Sequence, residues 1–142
     1  MIFTKFLKPF LIIGGLVTMY AVIYAIDPSS ALKDMNGLDF DAQYVFIIRH
    51  WGIMVGLMGF LIAASAFKPT WREPIILYSF LEKLFMVYLY FSNFLNIETA
   101  YLNAVFVPFA ITDVVICTYT LGYWYEQYRK RTNDKSRSLN LI

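Results

Sequence analysis

The stretch YVFIIRHWGIMVGLMGFLIAASAF, Tyr44 to Phe67, decides the fold. It is long and apolar enough to cross a bilayer, which takes ~20 mostly apolar residues in a helix. Yet Arg49 and His50 stand side by side near its start. A fixed cation and a titratable ring are costly inside hydrocarbon, so their surroundings have to account for them.

Three further segments of the same kind flank this one. They are Pro9–Ile26, Pro74–Leu95 and Tyr101–Tyr125, giving spans at about 9–26, 44–67, 74–95 and 101–125. Composition agrees: 59% of the chain is apolar and 15% charged, where a soluble domain has roughly 25% charged residues. A secretory signal is the other reading of the first segment, because Lys5 and Lys8 precede it. The apolar run Phe10–Ile26 exceeds the ~7–15 residues of a signal core and lacks a convincing cleavage site before Asp27, so an uncleaved helix is expected. Pro9 and Pro74 suit first-turn positions, where a missing N–H costs nothing. KPTWREP (Lys68–Pro74) and NIET (Asn96–Thr99) are short enough to force antiparallel neighbours.

The fold class expected is therefore all-α: an integral membrane four-helix bundle with up-down topology over residues 1–128, followed by a basic polar tail, 129–142. Orientation follows from loop charge. Lys5, Lys8, Lys68, Arg72 and the cluster Arg129, Lys130, Arg131, Lys135 and Arg137 all fall on one side, against Lys33 alone on the other. The positive-inside rule then puts both termini in the cytoplasm. The outer loop, Asp27–Gln43, reads as structured: Asp27 caps a short helix over about 28–36 that opens on Pro28, and Asn36-Gly37 ends it. The net charge of +2 is too small to argue for nucleic acid, and the basic residues flank apolar blocks instead of forming a stripe, so no nucleic-acid partner is expected. One cysteine, Cys117, excludes an internal disulfide and a multi-cysteine metal site, and one histidine excludes a two-histidine site. No metal, nucleotide, haem or flavin motif is present, so no cofactor is expected.

Five ionisable residues lie within the spans: Arg49, His50, Glu82, Lys83 and Asp113. Helix rise places Arg49 roughly 8 Å below the outer edge, Asp113 roughly 18 Å below it, and Glu82 roughly 12 Å above the opposite edge. Arg49, Gly52, Gly56, Gly59 and Ala63 share one stripe of span two, a small-residue seam of the kind that lets helices approach closely. Arg49 is expected to follow that stripe into the bundle and meet Asp113 or Glu82. Span three aligns Ser79, Glu82, Met86 and Asn93; span four aligns Asn103, Phe106, Ala110, Asp113, Cys117 and Thr120. The candidate binding site or ionic core is thus Arg49, Glu82 and Asp113, with His50 beside it in sequence but on the next face of its helix, shallow enough to meet headgroups or the outer loop. Lys83 stands ~100° around from Glu82 and is expected to point elsewhere. Pro108 predicts a kink near Asp113.

A small four-span chain with RHWGIMVGLMG in span two and a glutamate in the next span resembles the DoxX-like and related uncharacterised four-helix bacterial membrane families. The resemblance covers about residues 9–126. It implies a small bacterial inner-membrane protein that partners other membrane or redox proteins, and it carries over no catalytic residue. Three functions compete. One is a non-catalytic accessory or scaffold subunit, working with a membrane-protein partner or as a homo-oligomer, whose ionic core fixes helix register. The second is a protein that binds or transports a small anion, quinone or lipid headgroup in an intramembrane cavity at Arg49, Glu82 and Asp113. The third is a membrane enzyme, for which the spans offer acid, base and cation but no nucleophile–base pair. A cavity beside the charges favours the second; a filled core favours the first.

Overall fold

A computed structural model describes residues 1–139; the last three residues of the expected tail lie outside them. Among the described residues the chain is all-helical with no strand. Helix α1 (Ile2–Met19) passes through a 3₁₀ turn (Tyr20–Val22) into α2 (Ile23–Ile26). The short α3 (Pro28–Asn36) follows, then α4 (Val45–Ser65), α5 (Pro69–Asn93) and the long α6 (Leu102–Leu139). Four segments are long and apolar enough to cross a membrane: Ile2–Ile26, Ala42–Ser65, Pro69–Asn93 and Leu102–Asp134.

Several boundaries differ from the expected ones. Helix α1 begins at Ile2, so Pro9 sits inside it. Helix α5 begins at Pro69, and Pro74 is interior. Pro69 takes the first-turn place where the lost N–H is harmless, and the turn shrinks from KPTWREP to the residues around Lys68. Arg72 makes this sharp turn workable: its Nε donates to the Ser65 carbonyl at 3.1 Å and its Nη2 to Ala66 at 2.9 Å. These are carbonyls at the end of α4, where a cation also complements the helix dipole. The segment from Arg129, expected as a separate tail, continues α6 as helix to Leu139.

The helices associate as two closely joined pairs. In the first, Gly52, Gly56 and Gly59 of α4 are buried against the first span. A Cβ added at Gly52 would lie 2.7 Å from the Ala25 nitrogen, and one at Gly59 would collide with the Met19 backbone. Gly15 answers from α1, 2.5 Å from the Ala63 nitrogen by the same measure. These contacts run in opposite order along the two helices, so they are antiparallel. Backbones this close exchange dispersion contacts that lipid cannot replace.

The second pair, α5 and α6, is held by polar contacts. Asn93 donates to Asn103 at 2.7 Å, Lys83 meets Asp113, and Tyr123 donates to Glu73 at 2.7 Å. Each step of ten residues along α5 is matched by ten along α6 in the reverse direction.

The two pairs join at the end that carries Lys5, Lys68 and Arg129. Leu7, Leu11, Ile62, Ala66, Ile76 and Tyr123 form the apolar core there. Phe10 stacks on Tyr119, with ring centroids 3.6 Å apart. Glu126 of α6 accepts from the Phe3 and Thr4 backbone N–H groups, at 3.2 and 2.9 Å, and from the Thr4 hydroxyl. It thereby satisfies donors that the first turn of any helix leaves free. At the opposite end, the Asp27 side chain accepts from the Ser30 N–H, and Gly37 ends α3 with φ 64°. Tyr24 hydrogen-bonds to Asn36 and ties α3 down onto the first span.

Neighbouring glycines make a sharp test of the seam. Gly15→Ala should lower the melting temperature in detergent clearly, because its methyl would meet backbone. Gly14→Ala has open space around it and gains up to about 1 kcal/mol of helix propensity, so it should melt at or above the parent. Equal melting of the two variants would show that the α1–α4 contact is looser than described.

Candidate functional site

Lys83 and Asp113 are the two buried charged residues among the described residues, at 7% and 4% exposure. The Lys83 Nζ lies 3.4 Å from Asp113 Oδ1 and 3.1 Å from Glu82 Oε2. Glu82 is half-buried at the edge of the group. A buried ammonium is tolerated only with such partners, and here one comes from its own helix and one from α6. Ile76, Ser79 and Lys83 form the buried face of α5.

This group differs from the expected Arg49, Glu82 and Asp113 set in its cation. Glu82 and Asp113 come together, but Arg49 and His50 are both exposed and among the described residues form no ion pair. The reason lies in the glycine seam. That stripe marks the face of α4 turned to α1, not to the centre of the four helices. Continued by one turn it leads Arg49 to the end of the first span, near Asp27. The Asp27 carboxyl is held below its ordinary range, first by the Ser30 N–H and in smaller part by the Arg49 charge. Lys83, expected to point away, supplies the buried cation instead.

Beside the ion pair lies a cavity of about 180 Å³ that touches all four long helices. Its walls are Val17 and Thr18 of α1, Trp51 and Val55 of α4, Glu82, Lys83 and Met86 of α5, and Phe106, Pro108, Phe109, Thr112 and Asp113 of α6. Pro108 lacks the N–H that would bond the Ala104 carbonyl, and the Thr112 hydroxyl donates back to the Pro108 carbonyl at 2.8 Å. Proline and threonine thus shape the wall next to Asp113. A second, smaller space of about 20 Å³ lies between Leu7, Leu11, Ile62, Ile76 and Ile116. That is room for about one water.

The chemistry open to the charged site follows from its donors, its net charge and its walls. Lys83 has three N–H donors and two carboxylate partners, which leaves one donor. Fully ionised, the trio sums to one negative charge, so the site does not favour an anion. Its remaining walls are mostly aromatic and aliphatic. Residues that sequence reasoning missed are Lys83 as the central cation, Glu73, Glu126, and the Asn93–Thr99–Asn103 cluster. The short NIET turn held the signal for two of these, since antiparallel neighbours across it bring Lys83 opposite Asp113 and Asn93 opposite Asn103.

No protein-family model, curated protein or solved structure matches the chain. The likeness read from RHWGIMVGLMG therefore stands on those residues alone.

Removing one member of a buried pair strands the other, a loss of roughly 3–5 kcal/mol, whereas removing both can be nearly neutral. Lys83→Met should accordingly destabilise the protein in a thermal melt, and Lys83→Met with Asp113→Asn should recover most of the loss. Arg49→Met should melt like the parent. A severe loss from Arg49→Met with a mild one from Lys83→Met would reverse the assignment.

Proposed function

We propose that this chain is an antiparallel four-helix membrane bundle, with both termini cytoplasmic, that binds the carbonyl-bearing headgroup of a quinone-class amphiphile beside Lys83. The cavity at the Lys83–Asp113 pair is the observation that carries this reading. It is smaller than the ~300–1,000 Å³ of drug-sized sites, which suits a ring headgroup whose tail stays in lipid. The remaining Lys83 N–H suits a carbonyl oxygen, and Asp113 or Glu82 suits a hydroxyl. Trp51, Phe106 and Phe109 offer faces for a flat ring. The surplus negative charge argues against the anionic ligands that an Arg49 site would have taken.

A filled core would favour the accessory-subunit reading, and the cavity beside the charges is why ligand binding is preferred to it. A membrane-protein partner or a second copy remains compatible with either. The bacterial inner membrane is the location we assign, supported by the basic residues gathered at one end and by the resemblance of span two.

Two measurements test these claims. Reporter fusions at Gly37 and at the C-terminus should report opposite compartments, with the C-terminus cytoplasmic; agreement between them would remove the four-span topology. In a Trp71→Phe, Trp124→Phe protein, Trp51 is the single tryptophan. A short-chain benzoquinone should quench it saturably, and the Lys83→Met, Asp113→Asn variant should need at least several-fold more quinone. Linear, non-saturating quenching in both would leave the binding reading without support.

A further inference from the structure

The Lys83 cavity has a neighbour. About 320 Å³ of space lies between α5 and α6 toward the Asn96–Thr99 turn, and Asn93, Asn96 and Asn103 line it. The two cavities share two wall residues, Met86 and Phe106. Asn103 is 6% exposed. Its Oδ1 accepts from Asn93, while its Nδ2 is buried with no acceptor in the protein. A buried donor left unsatisfied costs free energy that a ligand oxygen recovers. Asn93 is itself fixed: it donates to the Thr99 carbonyl at 2.8 Å and accepts from the Thr99 hydroxyl at 2.5 Å. The polar lining of this outer space is therefore held in place before anything binds.

The apolar cluster of Leu7, Leu11, Ile62, Ala66, Ile76 and Tyr123 occupies the opposite half, around the small space between Leu7, Leu11, Ile62 and Ile76. Polar groups thus run in two steps from the Asn96–Thr99 turn to Lys83, and two flexible or flat apolar side chains stand between the steps.

We propose that the Asn103 cavity is an outer subsite for the carbonyl oxygen of the ligand, and that Met86 and Phe106 form the partition it passes to reach Lys83. This rests on the binding reading above and adds the route and its direction. Methionine suits the partition because its three rotatable bonds let it re-pack around different shapes. On the proposed topology the route opens at the outer face.

Thiol labelling tests the route directly. With Cys117→Ala removing the native thiol, Thr112→Cys places one on the wall of the Lys83 cavity. A trimethylammonium methanethiosulfonate, which does not cross bilayers, is added to right-side-out or inverted membrane vesicles. Labelling is expected from the outer face, faster by several-fold in Phe106→Ala and slower in Phe106→Trp. Met86→Ala and Met86→Trp give the same contrast from α5, and rates are compared among variants that melt like the parent. In the Trp51-only protein, Asn103→Leu should slow benzoquinone association several-fold; an unchanged rate overturns the outer subsite. Labelling from the cytoplasmic face, no labelling from either face, or rates indifferent to both partition residues overturns the route whether or not quinone binds. Gated outer labelling without saturable Trp51 quenching supports the route and overturns the ligand class instead.

Discussion

A lysine ammonium cannot sit alone in hydrocarbon, and the placement of Lys83 constrains much of this structure. Its charge needs carboxylates within a few ångströms, which fixes the register of α5 against α6 at the level of Asp113. Asn93 with Asn103 and Glu73 with Tyr123 then fall opposite each other on either side. One helix pair is thus aligned by polar contacts. The other pair is aligned differently: Gly15, Gly52 and Gly59 bring α1 and α4 together by backbone proximity. The cavity lies where these two differently built pairs face each other.

Much of the helical layout was legible in the sequence because long apolar blocks and capping signals are local. Asp27-Pro28 and Asn36-Gly37 bound α3 as their chemistry dictates. Helix starts were less legible. Pro9 and Pro74 suggested first turns, but a helix can carry proline in its interior when neighbouring contacts compensate. Ahead of Pro9, the first turn of α1 is held by Glu126, more than a hundred residues away in the sequence.

Glu82 and Asp113 were recognisable as interior acids from depth and composition, and the structure brings both to one group. Their cation was assigned to Arg49 by extending the glycine stripe, although a stripe of small residues says only that something lies close. What lay close was α1. Lys83 was set aside because it stands one residue from Glu82, and helical geometry turns adjacent residues ~100° apart. The buried face of α5 is Ile76, Ser79 and Lys83, so the lysine itself points inward and Glu82 meets it from the edge.

The Glu126 contact also bears on the order in which the chain assembles. Spans one and two meet through glycines and can pack as soon as both are in the bilayer, with no help from later segments. The backbone donors at Phe3 and Thr4 wait for a carboxylate near the end of the last helix. The first turn of α1 therefore acquires its protein partner only after α6 has been made. That turn is thus locked later than the glycine seam it leads into, as a clasp closes after the parts it holds.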